Sequence, residues 1–130
     1  MLQRRQIDPR GRQLALFLAV NRTALGVGVL FATRPALKVL MFGETDAAGR
    51  ALAKFAGGRD LGLGLLTLAA RDDREMLRTL LLAGVALDAA DALSLGLAAR
   101  NPDTRQAGLG GVAAGSAAAL LGFVAWRRLS

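Results

Sequence analysis

The sequence predicts an all-α protein, a bundle of four transmembrane helices with both termini cytoplasmic, and three observations carry that prediction. Residues 106–126 run for 21 positions without a charge. Two further stretches of similar length, 13–33 and 79–99, hold only one and two charges. The lysines and arginines gather at the ends of these apolar runs rather than inside them. About 20 apolar residues rising 1.5 Å each cover a hydrocarbon core of ~30 Å, so each run is long enough to cross a bilayer as a helix.

Composition points the same way. The 130 residues are 53% hydrophobic but only 5% aromatic, with 16 Gly and a mean hydropathy of +0.38. A small soluble core needs branched and aromatic side chains to fill it. A chain built on Leu, Ala and Gly instead suits helices that approach closely in lipid, where small residues let backbones meet. There is no Cys, His or Tyr, which removes disulfides, thiolate chemistry and the commonest base and metal ligand. No metal site and no cofactor is expected. The net charge of +7 forms no basic stripe with interleaved aromatics, so it reads as topology rather than as nucleic-acid binding.

The first span, about 13–33, contains one charge, Arg22. Arg4, Arg5, Arg10 and Arg12 precede it as they would precede a signal peptide. However, Asn21 and Arg22 interrupt the apolar stretch and no Ala-x-Ala-like site follows, so a retained helix is expected. In the connection after Arg34, Pro35 fits the first turn of a new helix, and residues 35–42 can lie along the interface as a short amphipathic segment. The second span, about 53–70, is the weakest. Its uncharged part, 61–70, is too short to cross alone, so Arg59 and Asp60 must enter the membrane with it. The third, about 78–99, carries Asp88 and Asp91. Asp72-Asp73 and Asn101-Pro102-Asp103 read as tight loops. In the fourth span, about 106–126, Trp126 followed by Arg127 and Arg128 makes an interfacial anchor. Gly58 with Gly62, and Gly111 with Gly115 and Ala119, read as small-xxx-small packing faces. A soluble bundle would also tolerate charges in helices one to three, but the fourth run has no polar face to show to water.

The informative residues are the charged and amide side chains inside the spans: Asn21 and Arg22 in the first, Arg59 and Asp60 in the second, Asp88 and Asp91 in the third. An Asp or Arg at a helix centre costs about 2.5–3.5 kcal/mol on insertion scales, so these residues are expected to meet one another across the bundle. Asp88 and Asp91, three apart, project from one face. Gly84 and Gly26, four positions from Asp88 and Arg22, leave room beside them. Two arginines against three aspartates leave one negative charge, resolved if one carboxyl keeps its proton. Two readings stay open. The cluster is an ion-pair network that fixes helix packing, or it is a polar site at mid-depth that binds a ligand or partner or handles protons. The Asp-x-x-Asp spacing alone does not make a diphosphate-binding motif, because Ala92 follows Asp91 where CDP-alcohol phosphotransferases need Gly and only Asp103 is acidic downstream. Gly62 and Gly64 do not make a phosphate loop either, for no Lys-Ser/Thr follows and no strand precedes.

The Arg or Asn in helix one, the Gly58-Arg59-Asp60-x-Gly62 start to helix two and the Asp88-x-x-Asp91 of helix three together resemble small four-helix bacterial membrane proteins of unknown function that are distantly DoxX-like. The likeness runs over most of the chain. It implies a four-helix membrane fold and, through the DoxX-like group, an association with quinone-linked redox chemistry. Arg outnumbering Lys by 15 to 2 fits a bacterial protein from a GC-rich genome.

The expectation is therefore a single integral domain, 1–130, in the bacterial inner membrane. Its Arg/Asp cluster (Arg22, Arg59 and Asp60, with Asn21 beside them) binds a ligand or partner or holds the bundle together. The rival is an intramembrane acid/base enzyme acting on a lipidic substrate, with Asp88 and Asp91 catalytic. The expected partners are the bilayer, a hydrophobic small molecule, and a second copy or a membrane-complex subunit.

Orientation follows from counting Lys and Arg outside the spans: nine on the side of the termini and second loop, six opposite. A cysteine introduced as Ser130→Cys should resist a membrane-impermeant reagent in intact cells and react once the cells are opened. Reaction in intact cells would invert the topology.

Overall fold

Three of the long helices in this chain begin directly after an aspartate whose carboxylate caps them. The computed structural model describes residues 7–130, so Arg4 and Arg5, counted above toward orientation, lie outside the described residues. Asp8 accepts the Gly11 N–H at 2.7 Å with Pro9 at the first helical position, and α1 (Pro9–Phe31) begins there. Asp46 accepts the Gly49 N–H at 2.7 Å and starts α3 (Ala47–Ala69), several residues ahead of the expected second span. Asp73 accepts the Met76 N–H at 3.0 Å and starts α4 (Arg74–Ala98). The Asp72-Asp73 pair is thus both loop and cap. Asn101 caps a single 3-10 turn, Pro102–Thr104, which leads into α5 (Arg105–Arg128).

Between α1 and α3 lies a short helix, α2 (Thr33–Val39), with Thr33 and Leu37 buried and Arg34 and Lys38 exposed. It ends in a Schellman arrangement, in which the Phe42 N–H reaches the Leu37 carbonyl and the Met41 N–H the Lys38 carbonyl. Met41 holds the left-handed position at φ 64°, where glycine is usual. Among the described residues there is no strand.

Three helical segments are long and apolar enough to cross a membrane: Pro9–Phe31, Arg74–Ala98 and Pro102–Arg128. The fourth long helix, α3, carries Arg50, Lys54, Arg59 and Asp60. Buried and half-buried threonines along these helices bond back to their own backbone. Thr23, Thr33 and Thr67 each donate to the carbonyl four residues back, at 2.7–2.8 Å.

Two tightly packed, antiparallel helix pairs make up the bundle. In the first pair, Gly26 of α1 lies so close to α3 that a Cβ there would stand 2.6 Å from the Gly57 carbonyl and the Leu61 nitrogen. Further along, Gly64 admits the Ala19 carbonyl in the same way. In the second pair, Gly108, Gly115 and Gly122 of α5 face Ala99, Asp88 and Val85 of α4, each with room for hydrogen and nothing larger. The seven-residue spacing of Gly57 and Gly64, and of Gly108, Gly115 and Gly122, is that of a left-handed helix pair.

The small-xxx-small expectation is corrected on α3: Gly58 and Gly62 meet nothing and face outward, one position out of phase with the true seam. On α5, Gly111 and Gly115 do face α4, as the sequence implied.

The two pairs join through a cluster at one end of the bundle, built from Ala15, Ala70, Leu77, Leu81, Ala125 and Leu129. There the start of α1, the α3–α4 loop and the end of α5 come together. Arg12 pairs with Asp72 at 2.5 Å, and Arg74 donates to the Ser130 carbonyl at 2.5 Å. The Arg78 guanidinium lies 5.2 Å from the centre of the Trp126 ring, which stacks on Phe123. Large apolar side chains such as Phe17, Leu93, Leu109 and Leu120 point outward, the arrangement suited to a lipid surround.

The glycine seams give a direct test by thermal melting in mild detergent. Gly26→Ala should destabilise by about 1–3 kcal/mol, because its methyl meets backbone that cannot yield. Gly62→Ala should be neutral or stabilising by up to about 1 kcal/mol, since it only removes glycine's excess freedom in a helix. Equal effects would mean that α1 and α3 are not in contact along this stripe.

Candidate functional site: an Arg/Asp chain between the helix pairs

Just past the midpoint of α1, α3 and α4, five charged side chains meet in an unbroken alternation. Arg22 of α1 reaches two carboxylates at once, Asp88 Oδ2 on α4 at 2.5 Å through Nη2 and Asp60 Oδ1 on α3 at 3.1 Å through Nη1. Its Nη2 also lies 3.4 Å from the Gly84 carbonyl. Asp60 in turn meets Nη2 of its neighbour Arg59 at 3.4 Å. Arg59 then grips Asp91 with both nitrogens, Nη1 to Oδ1 at 3.1 Å and Nη2 to Oδ2 at 2.6 Å. That parallel fork is the strong geometry for a guanidinium and a carboxylate. The order is Asp88–Arg22–Asp60–Arg59–Asp91, and it ties the α1/α3 pair to α4.

Local sequence explains how each group arrives. Arg59 and Asp60 are adjacent, so they point to either side of the same helix face, one toward Asp91 and the other toward Arg22. Asp88 and Asp91 sit three apart and take one arginine each. Gly84 leaves room for the site rather than for a neighbouring backbone, for a Cβ there would stand 3.3 Å from Arg22 Nη2. Gly26, four residues from Arg22, draws α3 close enough for Asp60 to reach the guanidinium.

Five of the six residues singled out in the sequence converge. Asn21 does not. It is exposed, and its amide donates to the Phe17 carbonyl of its own helix at 2.8 Å. Asn21 lies about 100° round α1 from Arg22, on the outer side of the helix.

Exposure changes along the chain of charges. The side chains of Arg22, Asp60 and Asp88 are 14%, 13% and 11% exposed, whereas those of Arg59 and Asp91 are 28% and 40%. The inner three are enclosed by helices, and the outer two reach the surface between α3 and α4. Below Arg22 and Asp88 lies a space of about 20 Å³, lined by Leu18, Ala19, Leu63, Thr67, Gly84 and Gly122 among others. That is room for one water molecule and too little for a substrate. The Nε of Arg59 is buried without an acceptor among the described residues. No group of three or more acidic side chains is placed to hold a metal ion among the described residues; the arginines stand between them.

Removing the cation at the centre should do the most damage. Arg22→Ala leaves Asp60 and Asp88 enclosed with nothing between them, and breaking a buried pair from one side costs about 3–5 kcal/mol. Asp88→Asn, which keeps a hydrogen-bonding group of the same size, should cost clearly less. Asp91→Asn, at the more exposed end and with an amide oxygen that can still accept from Arg59, should cost less than Arg22→Ala. Melting temperatures of the three variants in one detergent check the order, and an Arg22→Ala protein as stable as the parent would show the network to be solvated.

No protein-family model, curated protein or solved structure matches this chain.

Proposed function

We propose that the chain is a small multi-pass protein of the bacterial inner membrane, distantly DoxX-like. In this reading it crosses the bilayer four times with cytoplasmic termini, and α3 is the fourth span, its charges neutralised by the Arg/Asp chain. Within the chain of charges the roles divide. Asp88, Arg22 and Asp60 lock the two helix pairs together, while Arg59 and Asp91 form a binding site at mid-depth for the polar group of a membrane-embedded ligand or partner.

The observation that carries this reading is the step in exposure from the inner three residues to Arg59 and Asp91. A carboxylate left partly open at this depth faces hydrocarbon unless something covers it, and such an arrangement is expensive. Charge order specifies what would cover it. The alternation ends on Asp91, with three carboxylates to two guanidinium groups. A cation or strong hydrogen-bond donor arriving there would continue the alternation and neutralise the surplus charge. The basic head of a small amphiphile fits that description, as does an Arg or Lys on a partner helix. The enzyme alternative is not favoured, because the space beside Asp88 holds one water whereas ligand pockets run to about 300–1,000 Å³.

The test is photo-crosslinking in native membranes. A photoreactive residue at Ser94, exposed and one turn beyond Asp91, should give a specific adduct, and the same residue at outward-facing Leu120 should give none. Adding Asp91→Asn should abolish the Ser94 adduct while leaving the melting temperature within a few degrees of the parent. Identical labelling at Ser94 and Leu120, or an adduct indifferent to Asp91→Asn, would remove Arg59 and Asp91 as a site.

A further inference from the structure

At the end of the bundle opposite the termini, a second set of charges has a different character. The break between α1 and α2 and the first two turns of α3 enclose an open groove of about 510 Å³. On one wall are Phe31, Arg34 and Pro35; on the other, Ala47, Arg50, Ala51 and Lys54. Positions 47, 50, 51 and 54 recur at the spacing of one helix face. Its small members, Ala47 and Ala51, keep the floor open and its long members, Arg50 and Lys54, line the rim.

Three cations therefore surround one groove, and among the described residues none of them is in an ion pair. Asp46, next to the groove in sequence, is occupied in accepting the Gly49 N–H at 2.7 Å. Arg50 donates to the Thr45 carbonyl through one Nη, which fixes its position on the rim. The apolar surroundings are equally specific. Phe31 is 82% exposed and Phe55, the residue after Lys54, is 79% exposed. On the α2 side Val39 and Met41 are exposed as well. A cationic cradle with bare hydrocarbon beneath it matches one kind of occupant by charge and by polarity, a molecule with an anionic head and acyl tails.

We infer that the groove formed by Arg34, Arg50 and Lys54 binds the phosphate headgroup of an anionic phospholipid. The acyl chains run along Phe31 and Phe55 toward the middle of the bilayer. The short helix α2 lies in the interface and forms the wall of this site, which accounts for its exposed Arg34 and Lys38 beside buried Thr33 and Leu37. The inference requires a membrane location but is independent of the Arg59–Asp91 site.

The experiment is lipid retention by the purified full chain, measured by native mass spectrometry from detergent, with phosphatidylglycerol and phosphatidylcholine supplied at equal concentration. The wild type should retain one phosphatidylglycerol in preference to phosphatidylcholine. Each cation near a membrane surface contributes about fivefold, so Arg34→Gln/Lys54→Gln should weaken retention by about 25-fold. Neither side chain holds a hydrogen bond or ion pair among the described residues, so the variant should fold as the parent does, which its melting temperature in the same detergent checks. The control Arg100→Gln/Arg105→Gln removes the same charge at the same end of the bundle and should retain the lipid as the wild type does. Equal retention of the two lipids by the wild type would overturn the proposal, as would equal loss in both double variants. Displacement of the lipid by millimolar inorganic phosphate would also overturn it, because the site would then be one for a free anion.

Discussion

The Arg22 guanidinium holds carboxylates from two other helices at once, and the geometry of the bundle is compatible with little else. To place Asp60 within 3.1 Å of it, α1 and α3 must approach until glycine is the only residue that fits at positions 26, 57 and 64. Asp88 reaches it at 2.5 Å from the opposite side, where Gly84 leaves the guanidinium room against α4. A guanidinium is planar and offers donors along several edges, so it can bridge two carboxylates where an ammonium would act as a point charge. Lys at position 22 would keep the charge and lose the bridge.

Two kinds of force are thereby separated in space. Within each helix pair the contact is backbone against backbone, along glycines seven residues apart. Lipid tails compete with any apolar side chain, so close packing is what holds helices together there. Between the pairs such packing is confined to the Ala and Leu cluster at the end that carries the termini. At mid-depth the joint is ionic. Buried ion pairs add little net stability over apolar packing, but they reject misalignment strongly, since a shift of one turn strands every charge. In this bundle the glycines supply proximity and the Arg/Asp chain supplies register.

Much of this was legible in the sequence, for reasons that can be given residue by residue. Charged residues inside apolar runs are costly enough that Arg22, Arg59, Asp60, Asp88 and Asp91 had to find one another, and a three-residue spacing put the last two on one face. Pro35 and the amphipathic stretch after it gave α2. Carboxylates before helices are recognisable caps, yet the charges of Arg50 and Lys54 after Asp46 hide the first turns of α3 from a search for apolar runs. Asn21 was grouped with Arg22 on polarity alone. It lies on the outer side of α1, and its amide bonds back to its own helix instead. The glycine seams were the subtler case. A four-residue spacing picked Gly58 and Gly62, which face outward, whereas the seven-residue spacing of Gly57 and Gly64 marks the contact. The two patterns overlap in a glycine-rich segment, and only the position of the partner helix chooses between them.

Exposure has a different meaning in such a molecule from the one it has in water. In an aqueous protein an Asp91 with 40% of its side chain open would be an ordinary surface carboxylate and its pairing with Arg59 would contribute little. On the proposed placement of this site at mid-depth in a bilayer, water is absent and the same exposure is an unmet requirement. The inner part of the chain of charges meets that requirement internally, since Arg22 has a carboxylate on either side. The outer part meets it only on the side of Arg59, and the surplus acid of the three-to-two ratio is accessible at that end. Structural networks tend to bury their imbalance. An imbalance left open at the seam between two helix pairs, flanked by outward-facing Leu93, is the feature on which the proposed binding role of Arg59 and Asp91 rests.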